Sequence, residues 1–128
     1  MKAILLVALG GAFGSAGRYL LSAWALHHTA EWRFPAGTFL VNVIGCLLVG
    51  ILGGLVVKHE FFSPDTRLFL FTGIAGGFTT FSAFGMETFH LLRRGEMLVA
   101  GGYVVSSVVF GLLLVWAGFT LVSGRAIY

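Results

Sequence analysis

Eight polar residues set inside long apolar runs carry most of the chemistry this sequence offers: Arg18, Asn42, Thr79, Thr80, Ser82, Glu87, Ser106 and Ser107. A polar group in such a place is expensive, so each one asks for a reason. Asn42 is the only asparagine, lies in Val41-Asn42-Val43, and offers two donors and a carbonyl. It either ties helices together by hydrogen bonds or presents an N–H to a passing anion. Arg18 either snorkels out of the membrane or neutralises an anion vestibule. Thr38 and Thr72 are set aside as hydroxyls that bond their own helix.

The densest anomaly is residues 73–84, Gly73-Ile74-Ala75-Gly76-Gly77-Phe78-Thr79-Thr80-Phe81-Ser82-Ala83-Phe84. Paired glycines followed by two β-branched threonines make a poor helix interior, at about 1 kcal/mol per glycine relative to alanine. The run predicts a helix broken near the bilayer midplane. Freed carbonyls there can coordinate a cation and half-helix N-termini can face an anion; the alternative is a glycine kink that serves close packing. Phe81 and Phe84, spaced i, i+3, share a helical face. Their positive ring edges can favour an anion, or the rings simply fill a core. Thr80, Ala83 and Glu87 form a stripe ending in a carboxylate, either a polar lane or a charge at the end of the span.

The elements that position these groups follow from composition. The chain has 128 residues, 58% hydrophobic and 10% charged, against about 25% charged in an ordinary soluble domain. That excludes an ordinary soluble enzyme. Residues 34–57, 68–86 and 97–124 contain no Asp, Glu, Lys or Arg, and about 20 apolar residues cross a bilayer as a helix. Four spans are predicted, at about 3–26, 35–57, 68–92 and 97–122, with short loops, one domain and membrane lipid all round. The eight basic residues are scattered and form no patch for nucleic acid. Cys46 is the single cysteine, so no disulfide forms within one chain. Gly10-x3-Gly14 and Gly50-x3-Gly54 have the small-xxx-small spacing of close helix packing.

Orientation is set by Lys and Arg. Lys2, Lys58, Arg67 and Arg125 fall on one side, and Arg33, Arg93 and Arg94 on the other. So even a balance means either a weak bias overridden by other signals or insertion both ways, with pairing as an antiparallel dimer. In such a dimer the two breaks can meet, and four freed carbonyls can enclose a small dehydrated cation such as Na⁺.

Three ordered motifs resemble the Fluc, or CrcB-type, fluoride channels. They are Gly10-Gly11-x-x-Gly14-x-x-x-Arg18, Pro35-x-Gly37-Thr38-x-x-x-Asn42-x-x-Gly45, and Gly73-x-x-Gly76-Gly77-x-Thr79-Thr80-Phe81-Ser82-x-Phe84-x-x-Glu87. The likeness covers nearly the whole chain. It implies an all-α membrane protein of four helices, the third broken, assembled as an antiparallel dual-topology homodimer in the bacterial inner membrane. It also implies passive export of cytoplasmic fluoride and a central structural Na⁺ that is not transported, held by the carbonyls of Gly76 and Thr79. The pore residues it implies are Asn42, Phe81, Phe84, Ser82, Glu87, Ser107 and Tyr103. Ala83 and Gly111 stand where the family often carries hydroxyls. The rival is a small multidrug-type dual-topology transporter, which uses a carboxylate in span 1; here span 1 holds Arg18 and no acid. No nucleophile–base pair or metal cluster suggests an enzyme.

Overall fold

Within lipid no water satisfies the backbone, so a charge-free run of this length has to be helical. A computed structural model describes residues 1–59 and 62–124; Arg125, counted above for orientation, lies outside the described residues. α1 spans Lys2–Thr29 and α2 spans Ala36–His59. A short α3, Pro64–Arg67, runs into a π-helix at Leu68–Ala75 and then α4, Gly76–Phe78. α5 covers Phe81–Arg93 and α6 covers Met97–Ser123. Four stretches are long and apolar enough to cross a membrane: Lys2–Thr29, Ala36–Lys58, Pro64–Arg93 and Met97–Ser123. They run slightly past most of the expected ends.

Local chemistry sets several boundaries. Pro35 precedes α2 and its carbonyl accepts from Phe39 N–H at 3.1 Å. Ser63 caps α3, its Oγ accepting from Thr66 N–H at 3.2 Å, and Pro64 occupies the first turn, where its missing N–H costs nothing. Gly95 and Gly124, with φ of 76° and 65°, turn the chain after α5 and end α6.

α2 packs along α6, and α1 lies against the π-helix and α4. Lipid gives no hydrophobic drive between helices, so close backbone approach supplies the attraction. A Cβ on Gly118 of α6 would stand 2.6 Å from the Leu47 carbonyl oxygen of α2, and one on Gly10 of α1 would meet the Phe69 carbonyl oxygen at 2.5 Å. Both small-xxx-small pairs are used inside the protomer, since Gly14 seats against the Ile74 carbonyl and Gly50 and Gly54 against those of Val115 and Phe119. The buried cluster of Leu91, Ala100 and Tyr103, with Phe34, Phe39 and Phe84 against it, joins α2, α5 and α6. Lys2 meets Asp65 at 2.5 Å, so the start of α1 and the start of α3 share one end. The starts of α2 and α6 and the end of α5 share the other.

Candidate functional site

Helical geometry stops at Phe78. Thr79 (φ −80°, ψ 157°) and Thr80 (φ −150°, ψ 114°) are extended, and α5 begins at Phe81. The glycine pair itself stays helical in α4; the threonines leave it. Two side chains hold the interruption by diverting donors. Thr80 N–H, which in a continuous helix would bond the Gly76 carbonyl, donates to Asn42 Oδ1 at 2.8 Å. Asn42 Nδ2 in turn donates to the Thr80 carbonyl at 3.0 Å. Ala83 N–H, the helical donor for the Thr79 carbonyl, goes to Thr80 Oγ1 at 3.2 Å, an N-cap of α5. The carbonyls of Gly76 and Thr79 thus lose their helical donors. The π-helix ahead of them belongs to a class of distortion frequent at functional sites.

Beside the interruption lies a cavity of about 350 Å³, lined by Asn42, Cys46, Thr79, Phe81, Phe84 and Ser107 among others. Asn42 spends one amide hydrogen and its carbonyl on Thr80, which leaves a second N–H. Ser107 Oγ is buried and has no hydrogen-bond partner among the described residues, and a native hydroxyl in that state calls for a ligand or water. The rings of Phe81 and Phe84 stand 5.6 Å apart. Phe84 packs on Tyr103 at 5.1 Å, whereas Phe81 is 84% exposed and so fills no core within the protomer.

A second cavity of about 320 Å³ opens at the other end, between the end of α1, the start of α2 and the end of α5, with Thr38 and Glu87 on its wall. Glu87 is held on both oxygens. Thr38 Oγ1 donates to Oε1 at 2.7 Å and Tyr103 O–H donates to Oε2 at 2.7 Å. Setting Thr38 aside as a self-bonded hydroxyl is therefore wrong: it faces α5, and its partner is a carboxylate 49 positions away in sequence. Its place four residues before Asn42, on the same face of α2, was the available signal. Tyr103 is fully buried, its ring between Phe34 and Phe84, and lines neither of the two cavities. It touches the site through its hydroxyl on Glu87.

The remaining expected residues are more dispersed. Ser82 is exposed, its hydroxyl 3.3 Å from that of Thr80. Gly76 is exposed, and Thr79 lines the first cavity. Ser106 Oγ donates to the carbonyl of Tyr103 at 3.3 Å. Arg18 is half-buried, lines neither of these cavities and forms no ion pair among the described residues.

The sequence model of one protein family, described as "CrcB-like protein, Camphor Resistance (CrcB)", matches residues 5–119. The chain belongs to the CrcB family. Relatives of this CrcB chain carry the name "Fluoride-specific ion channel FluC". The protein of that name from Methylobacillus flagellatus is 58% identical over 122 residues, covering 95% of each chain. One from Chloroflexus aurantiacus is 46% identical over 94% of this chain and 95% of its own. One from Flavobacterium psychrophilum is 41% identical over 94% of this chain and 97% of its own. With four helices able to cross a bilayer, this CrcB member is a multi-pass bacterial membrane protein.

Proposed function

We propose that the protein is a fluoride-selective channel, and not an enzyme, that lets fluoride leave the cytoplasm passively. The observation that carries this reading is the cavity beside the interrupted helix, where a spare amide N–H, an unpartnered serine hydroxyl and two phenylalanine rings converge. The names of the relatives supply the anion.

Fluoride is small and strongly hydrated, so it must trade water for protein donors at a narrow point and then leave. Asn42 and Ser107 offer donors, and the edges of Phe81 and Phe84 offer a weaker positive field. Several weak sites suit conduction, because tight binding at one would trap the ion. Glu87, fixed between Thr38 and Tyr103, stands at the far end of the path with both oxygens satisfied. The Ser82 hydroxyl extends the polar face from Thr80, and unpaired Arg18 adds positive charge for an incoming anion.

The path is completed by a second copy, inserted antiparallel, which covers Phe81, Ser82 and Gly76. The even division of Lys and Arg between the two sides favours neither insertion, so both orientations are made. The carbonyls of Gly76 and Thr79, released by Asn42 and Thr80, suit a hard monovalent cation with oxygen ligands. Those of both copies would hold Na⁺, which pins the interface and is not transported. A small multidrug-type exchanger needs a carboxylate in α1, which has none. Fluoride efflux from liposomes holding the purified protein tests the reading.

A further inference from the structure

The cavity at the start of α2 has a feature that the conduction path does not use. Among the side chains on its wall are Arg33 from the α1–α2 loop and His90 and Arg94 from the end of α5. Neither arginine forms an ion pair among the described residues. Among the described residues the only carboxylate on the wall is Glu87, and Thr38 and Tyr103 already occupy its two oxygens. Gly37 and Thr38 lie in the first turn of α2, where N–H groups have no intrahelical acceptor and the helix dipole is positive. Arg93, next in sequence, lines neither this cavity nor the one beside the interruption, whereas Arg33 and Arg94, equally exposed, stand on this wall.

We propose that this cavity is an anion-capture mouth in series with the pore, in which the guanidinium groups of Arg33 and Arg94 concentrate a small anion ahead of Thr38 and Glu87. A cleft lined by one sign of charge with low-dielectric walls focuses its field and raises the local concentration of counter-ions by about 10-fold or more. The mouth rests on the channel reading, since its anion is the one the pore carries. Guanidinium groups at a membrane boundary also suit the phosphate of an anionic lipid, which shares this chemistry, and the lipid composition separates the two sources.

The test is fluoride conductance in planar bilayers of neutral lipid, at low fluoride, comparing the parent with Arg33→Gln, Arg94→Gln and the double variant. Ionic strength is raised with the salt of a large impermeant anion. At about 0.01 M, where charges act over about 30 Å, the double variant should conduct about three- to tenfold less than the parent. At about 1 M, where the screening length is about 3 Å, the two should converge. Arg94→Lys, which keeps the charge, should stay near the parent. Equal conductance at low salt, a deficit that salt does not remove, or a deficit seen only when anionic lipid is present would overturn the mouth. A parent that conducts no fluoride contradicts the channel reading itself, whereas a conducting parent with indifferent variants contradicts the mouth alone.

Discussion

Asn42 and Thr80 are joined twice, by a donor from the amide to the Thr80 carbonyl at 3.0 Å and by an acceptor for the Thr80 N–H at 2.8 Å. One side chain thereby satisfies both backbone groups of an extended residue inside a membrane, where unsatisfied groups cost several kcal/mol each. It also keeps the Thr80 N–H away from the Gly76 carbonyl. Asn42 is thus a tie between helices that also lines the cavity beside the interruption, with one amide N–H left over.

Replacing Asn42 with Leu, close to it in size, removes both bonds. Each buried group left without a partner costs about 1–3 kcal/mol, so thermal unfolding in detergent should shift down by several degrees. Fluoride flux should fall at least tenfold. Asn42→Asp keeps an acceptor for Thr80 N–H and should unfold at a temperature between the two. Parent-like stability and flux in Asn42→Leu would remove the clasp from the account.

Phe81→Ile and Phe84→Ile should each suppress fluoride flux, with the oligomeric state on size exclusion unchanged. Phe81 is 84% exposed in the protomer, so its loss opens no cavity within one chain and its effect on stability of the isolated fold is small. Flux unchanged in both variants would return these rings to a packing role.

Thr38→Val and Tyr103→Phe each delete one hydroxyl donor to Glu87. Hydrogen bonds to charged groups contribute about 1.5–3 kcal/mol, and each variant should lose stability on that scale and conduct less. Because both act through one carboxylate, the double variant should differ from the sum of the singles by at least about 0.5 kcal/mol. Strict additivity in a double-mutant cycle of unfolding free energies would show that the two hydroxyls do not share a partner.

Thr38 also marks where the sequence stopped being legible. Three charge-free runs place the last three spans, the apolar N-terminal stretch places the first despite Arg18, and the glycine–threonine run at 76–84 points to the segment that interrupts the helix, because all are written in residue type. Which face of α2 a hydroxyl occupies is written only in its spacing from Asn42, since a lipid-facing side is as apolar as a packed one. Thr72, set aside on the same reasoning as Thr38, is exposed, while Thr38 is buried against α5. The π-helix at Leu68–Ala75 has no residue signature either, although Gly10 and Gly14 seat against its Phe69 and Ile74 carbonyls. Phe81 and Phe84 read alike in sequence, yet Phe84 packs on the buried ring of Tyr103 while Phe81 is exposed.

That seating gives a further prediction. A side chain at Gly14 would collide with the Ile74 carbonyl and with Phe78 N, both backbone atoms that cannot swing aside. Gly14→Val should destabilise the protein by about 1–3 kcal/mol or more through overpacking and disturb the interrupted segment. Gly101→Ala, which meets nothing within 4 Å, should unfold like the parent. The measurement is the thermal midpoint of each variant in one detergent.

The central claim is tested most directly by loading liposomes that contain the purified protein with fluoride or chloride and following efflux with ion-selective electrodes, in Na⁺ and then in a larger monovalent cation. Fast fluoride efflux in Na⁺, slower efflux when Na⁺ is replaced, and chloride retention are the predicted results. Fast chloride leak, or no fluoride efflux with Na⁺ present, would contradict the account.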